Sequence, residues 1–249
     1  MLILISLMQL VKNETMKRIS FCLVLMFLAT FECSAQTEPG GSLKAGINAP
    51  FLDPDLNVSE WVEKFEVESR EIFSCREEIV RKMNLVTGER IADVGTGTGI
   101  FVEPFSDAVG PRGWVFALDI VTKFVERVER IAELKSLGNV TAMLSGQDDV
   151  RLPPDSIDVA FVCDVYHHFE FPVESLRSIK RALRPGGRLY VIDFERIEGV
   201  SRPWTMGHVR AGKPEFKSEI EAAGFQFVEE IAVEGFKENY FLSFVRPKS

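Results

Sequence analysis

Apolar and polar positions along this chain follow two different periods. Between residues 59 and 83, Trp61, Phe65, Ile72, Phe73, Ile79, Val80 and Met83 recur three or four positions apart among charges, which predicts helices. From residue 90 the pattern changes to short apolar runs at 90–94, 113–120, 139–144, 159–165 and 183–194. Runs of this length suit strands buried on both faces of a parallel sheet. Longer amphipathic stretches predict helices over 100–109, 121–137, 172–183 and 215–223. Pro104 is tolerable there only because it falls near an opening helical turn. Two further apolar-rich strands are expected at 225–232 and 239–246. Their link, 233–238, is too short for a crossover helix, so they must pair antiparallel. The pattern is that of an α/β protein with a doubly wound, mainly parallel sheet and helices on both faces.

The first of these strands runs into Asp93 and then glycines at 95, 97 and 99. Glycine permits positive φ and lets a ligand approach the backbone without Cβ contact. The helix that follows would turn its free N–H groups toward that ligand. The spacing is G-x-G-x-G rather than the dinucleotide fingerprint G-x-G-x-x-G. The second strand ends in Asp119, where doubly wound folds place an acceptor for ribose hydroxyls. An acidic turn at Asp148-Asp149 follows the third strand, then Leu152-Pro153, and Leu183-Arg184-Pro185-Gly186-Gly187 opens the fifth.

In this order the motifs resemble those of class I S-adenosylmethionine-dependent methyltransferases, over roughly residues 85–195. The nearest flavour is the branch containing quinone-ring and arsenite methyltransferases. The resemblance implies a Rossmann-like seven-stranded sheet of order 3-2-1-4-5-7-6, with S-adenosyl-L-methionine as cofactor. The implied activity is methyl transfer to O, N, S or an activated carbon of a small molecule. It also implies roles for particular residues. Gly95, Gly97 and Gly99 would admit the cofactor, and Asp93 would organise the turn or meet its amino-acid end. Ile120 would lie against adenine, which Asp148 and Asp149 flank, and Asp164 would stand beside the sulfonium. Outside residues 1–35 only Cys75 and Cys163 occur, read as two separate thiols, which disfavours arsenite as acceptor. Two alternatives share parts of this pattern: a nicotinamide-dependent oxidoreductase, whose fingerprint is missing, and an exported protein that binds the cofactor without turnover.

Methyl transfer is mostly a matter of positioning, and acids or bases matter only where the acceptor must lose a proton. His167 and His168 follow the fourth strand, where open α/β sheets place their chemistry. An imidazole near its ordinary pKa would serve there as general base. The only other histidine, His208, lies with Arg210 in the long connection 195–213. That connection reads as a lid, with Trp204 and Met206 as apolar walls and His208 and Arg210 gripping a carboxylate or phosphate. No metal is expected, because His167 and His168 have no diagnostic ligand spacing. Glu66 and Arg70, at i and i+4, are read as a solvated ion pair.

Charge and the N-terminus narrow the setting. The net charge of −8 excludes the basic surface that nucleic-acid binding requires, and a small or neutral acceptor fits better. Met16-Lys17-Arg18, the apolar run to Phe31 and Cys33-Ser34-Ala35 have the layout of a secretory signal, with Met16 as an alternative start. The expected organisation is a leader at 1–35, a linker at 36–58 and a methyltransferase domain with a helical cap at 59–249. Export to the periplasm or medium follows, or membrane anchoring if the leader stays; the cofactor, however, is a cytosolic metabolite.

Overall fold

The computed structural model describes residues 41–67 and 70–248. The leader expected at 1–35 lies outside the described residues. Three short helices come first: α1 (Val58–Phe65), α2 (Glu71–Ser74) and α3 (Arg76–Lys82). The Asn57 side chain caps α1 by accepting the Ser59 N–H at 3.1 Å. Strands and helices then alternate as β1 (Arg90–Val94), α4 (Val102–Val109), β2 (Trp114–Asp119), α5 (Thr122–Leu134), β3 (Val140–Leu144) and β4 (Ile157–Cys163). The chain continues through α6 (Pro172–Ala182), β5 (Leu183–Phe194), α7 (Pro203–His208), α8 (Lys213–Ala222), β6 (Gln226–Glu230) and β7 (Asn239–Val245). Among the described residues no helix is long and apolar enough to cross a membrane.

The seven strands form one sheet of order β3-β2-β1-β4-β5-β7-β6. The first five strands run parallel, while β7 is antiparallel to both β5 and β6, as the short 233–238 link requires. Side chains alternate across the sheet and divide the core in two. Ala92, Val94, Ala160, Val162, Leu189 and Val191 pack on one face. Ile91, Val159, Phe161, Tyr190 and Ile192 pack on the other. Both faces of the central strands are therefore dry, and their sequences read as continuous apolar runs rather than alternating ones.

Three local expectations change. Strand β4 stops at Cys163, not Val165, because Asp164 turns into the left-handed region at φ 52° and ends the ladder. Helix α1 ends at Phe65, so Glu66 and Arg70 do not share a helix face. Glu66 instead pairs with Arg127 at 3.0 Å, and Arg70 with Asp164. The later part of the stretch read as a linker is packed: Asn48 and Leu56 are buried, and Phe51 lies 4.5 Å from the Trp61 ring. The strand order reverses between β1 and β4, and this opens a crevice at the carboxyl ends of β1, β2 and β4.

Candidate cofactor and active site

A cavity fills that crevice. Its floor is the loop after β1, and its wall is the end of β2. Asp119 is buried at 6% exposure, with one carboxylate oxygen accepting the Gly97 N–H at 2.8 Å and the other the Val121 N–H at 2.9 Å. These bonds lock the carboxylate at the cavity wall with lone pairs to spare. Burial pushes its pKa up to about 6, against the opposing pull of the Gly97 and Val121 N–H groups. Asp93 sits behind the loop and accepts the Thr96 hydroxyl at 2.7 Å. Burial raises it to about 7, the Thr96 bond opposes this, and Asp119 adds a smaller upward push.

The three glycines do different work. Gly97 has φ 54°, and a Cβ there would meet no atom closer than Phe65 at 3.8 Å; the loop thus leaves open space on its cavity side. Gly95 also lines the cavity, but its absent side chain makes room for Val165, whose methyls would stand 2.6 Å from a Cβ. Gly99 is a correction. It does not line the cavity, and a Cβ there would press on Val128 and Ile131 of α5 at 3.1 and 3.2 Å. Its role is close packing of the loop against that helix.

Ile120, Asp149 and Asp164 line the same cavity, together with His168. The Asp149 carboxylate, however, is engaged elsewhere, accepting the Arg151 N–H at 2.6 Å and pairing with Arg181 at 2.9 Å. Asp148 is exposed and off the cavity, which corrects its assignment. Ser145, Gly146 and Gln147 stand there instead, since the turn after β3 bends one step earlier than the acidic pair. Asp164 is held by Arg70 on one oxygen and by the Asn239 amide at 3.0 Å on the other. Burial raises its pKa, partly offset by the Arg70 charge.

The histidine candidates converge but do not all reach the cavity. His167 is buried, and its Nδ1 lies 2.9 Å from the Asp193 carboxylate while its N–H donates to the same group at 3.0 Å. His168 lines the cavity, edge-on to Phe51, and its carbonyl accepts the Asn48 amide at 3.2 Å. Burial drives its pKa down to about 2, far below the ordinary value that general-base work assumed. It is a weak base. His208 stands behind it on α7, stacked on Trp204 at 4.6 Å, and burial lowers its pKa too. Arg210 is a clear correction. Both its terminal nitrogens bind Glu219 at 2.6–2.7 Å, and its guanidinium lies over Phe216, away from the cavity. The Trp204 and Met206 walls are also absent, because α7 directs Trp204 onto His208 and Phe194.

Several cavity residues carried no readable signal. Asn48 and Phe51 come from the Gly- and Pro-rich stretch, and Arg70 from beyond α1. Thr98, between the glycines, also lines the cavity, and its buried hydroxyl has no hydrogen-bond partner. Asp193 had a signal, a carboxylate set in an otherwise apolar strand.

The residues present fit S-adenosylmethionine. An orphaned hydroxyl at Thr98, an open backbone at Gly97 and a clamped acceptor at Asp119 match its polar groups, and Asp93 and Asp164 line the same cavity. Residues 92–191 match a family described as a methyltransferase domain. The sheet order is that of the methyltransferase fold. The chain is 32% identical over 111 residues to the ubiquinone/menaquinone biosynthesis C-methyltransferase UbiE of Pseudomonas savastanoi pv. phaseolicola, covering 44% of this chain and 43% of that protein. It is 30% identical over 110 residues to the UbiE of Vibrio vulnificus, with 44% and 42% covered. The chain thus spans less than half the length of these relatives. A solved S-adenosylmethionine-dependent methyltransferase from Aquifex aeolicus superposes with a TM-score of 0.68 at 26% identity, over 77% of this chain and 99% of that one.

Proposed function

We propose that this protein transfers the methyl group of S-adenosylmethionine to a small-molecule acceptor. The observation that carries the reading is the Asp119 carboxylate, clamped by the Gly97 N–H at the switch point and facing the cavity. Asp119 would hold the ribose hydroxyls, Ile120 would pack on adenine, and Gly97 and Thr98 would offer polar backbone and hydroxyl contacts. Asp93 and Asp164 would line the cavity beside the sulfonium, Asp164 with its charge balanced by Arg70. The bound cofactor supplies an activated methyl group for in-line displacement. The chain's own part is to exclude water and align the acceptor, which is worth up to about 7–11 kcal/mol. Phe51, Phe65 and His168 wall the cavity for this purpose. The likeness to UbiE favours the quinone-ring branch, and a carbon acceptor on an electron-rich ring is the first class to try. The family match spans residues 92–191, and Asn48, Phe51, Phe65 and Arg70 line the cavity from outside it.

Calorimetry on the full chain with S-adenosylmethionine, S-adenosylhomocysteine and NAD tests the reading. Binding of the first two and not of NAD is expected; preference for NAD overturns it. Release of S-adenosylhomocysteine with a ring acceptor then separates turnover from binding alone. We also infer export by the 1–35 leader. The supporting pattern is a basic segment, an apolar run and small residues before Gln36. Mature mass starting at or near Gln36 in an exported fraction is expected, and intact chain confined to the cytosol refutes it.

A further inference from the structure

The chain contains three histidines in all, and the fold brings them to one point. His167 and His168 sit on the turn after β4, and His208 ends α7, some forty residues later in the inserted connection. Their ring centroids lie 4.3, 5.0 and 5.1 Å apart. No two of their three candidate ligand nitrogens are more than 4.8 Å apart. The geometry points to a binding site for a divalent transition metal of the zinc class, held by His167, His168 and His208.

Two observations support this assignment. The Nε2 atoms of His168 and His208 face each other at 3.2 Å. Two nitrogens bound tetrahedrally at zinc–nitrogen distances of ~2.0–2.1 Å are about 3.3 Å apart, so this pair is already at ligand spacing. Next, Asp193 is wholly buried and holds Nδ1 of His167 at 2.9 Å, leaving Nε2 as that ring's free donor. A carboxylate behind a ligating histidine fixes the tautomer and strengthens the donor, the usual second layer of a metal site.

Neighbouring charges are compatible with a cation. Asp193 supplies the nearest negative charge, and the Lys44 ammonium is engaged by the His208 carbonyl at 2.7 Å. In the absence of metal the His168–His208 contact is a hydrogen bond carrying one proton. Metal entry requires that proton to move to Nδ1 of whichever of the two rings carries it, with no change in net protonation of the rings. Three protein ligands leave a coordination position for water or an acceptor oxygen, as in sites that activate rather than only brace. His168 is shared with the cavity wall, so the ion would lie one side chain from the cofactor crevice.

The experiment uses the full chain without an affinity tag, stripped with a chelator and titrated with Zn²⁺ by calorimetry and with Co²⁺ by visible absorption. One ion per chain and an intense tetrahedral Co²⁺ spectrum are expected. His208→Ala, on a partly exposed short helix, should weaken Zn²⁺ binding at least about 100-fold, and Asp193→Asn about 10–100-fold. Far-UV circular dichroism and a thermal melt of His208→Ala matching those of the wild type show that the variant is folded and keep the metal result independent of the methyltransferase reading. Substoichiometric Zn²⁺ uptake by the wild type, or equal Zn²⁺ affinity in wild type and His208→Ala, overturns the assignment.

Discussion

The Asp119 carboxylate accepts the Gly97 N–H at 2.8 Å, tying the end of β2 to the middle of the glycine loop. The bond holds an ionisable acceptor at the cavity wall, and its strength depends on ionisation. Asp119 has a pKa near 6 in the free protein, and hydroxyl donors from a ribose would favour its carboxylate and lower that value. Affinity for S-adenosylhomocysteine should therefore be level above pH 6 and fall by up to about tenfold per pH unit below it. Asp93, which titrates beside it, will broaden the transition. Asp119→Ala should weaken binding by roughly 1.5–3 kcal/mol at neutral pH and flatten the profile. Calorimetry between pH 5 and about pH 8 reads both effects, and an unchanged profile in the mutant removes Asp119 from the ligand.

Asp93 should show itself in stability. Its folded pKa of about 7 lies above the ordinary carboxylate value, so the folded state holds the proton longer than the unfolded chain. The sign is then fixed: stability is fully present below the unfolded pKa and is lost as pH rises toward 7. The ligand-free protein should melt at progressively lower temperature across that interval. Asp93→Asn should reduce the slope, as measured by thermal denaturation at several pH values.

Gly97 and Gly99 look alike in sequence and should fail differently. In Gly97→Ala the methyl points into open cavity space, and the left-handed backbone costs about 1 kcal/mol. Cofactor affinity should drop about tenfold or more while the protein still folds. Gly99→Ala presses on Val128 and Ile131 at 3.1 and 3.2 Å. It should lower unfolding stability by about 1–3 kcal/mol, with the smaller effect on binding. Urea melts and calorimetry on both variants distinguish the two glycines.

Arg210 should be a stability residue. Its paired bonds to Glu219, with Tyr166 donating to the same carboxylate at 2.9 Å, form a partly buried network away from the cavity. Arg210→Ala should cost about 2 kcal/mol in unfolding, since it strands Glu219 beside apolar rings. Cofactor affinity should be unchanged, and a selective loss of acceptor turnover with normal stability would instead restore a substrate role.

Local spacing by itself determined the succession of strands and main helices, the antiparallel end pair and, through the glycine and carboxylate motifs, the loop framework. It marked Asp119 and Gly97 because a loop between a buried strand and a helix has few ways to turn. It could not distinguish Gly99 from Gly97, since one glycine serves helix packing and the other a ligand, and only the position of α5 separates them. Nor could it see that Arg210 closes on Glu219, that Arg70 crosses to Asp164, or that Asn48 joins the cavity wall. The meeting of His208 with His167 and His168 is of the same kind. These contacts join residues remote in sequence, and their geometry exists only once the sheet has set the helices and connections in place.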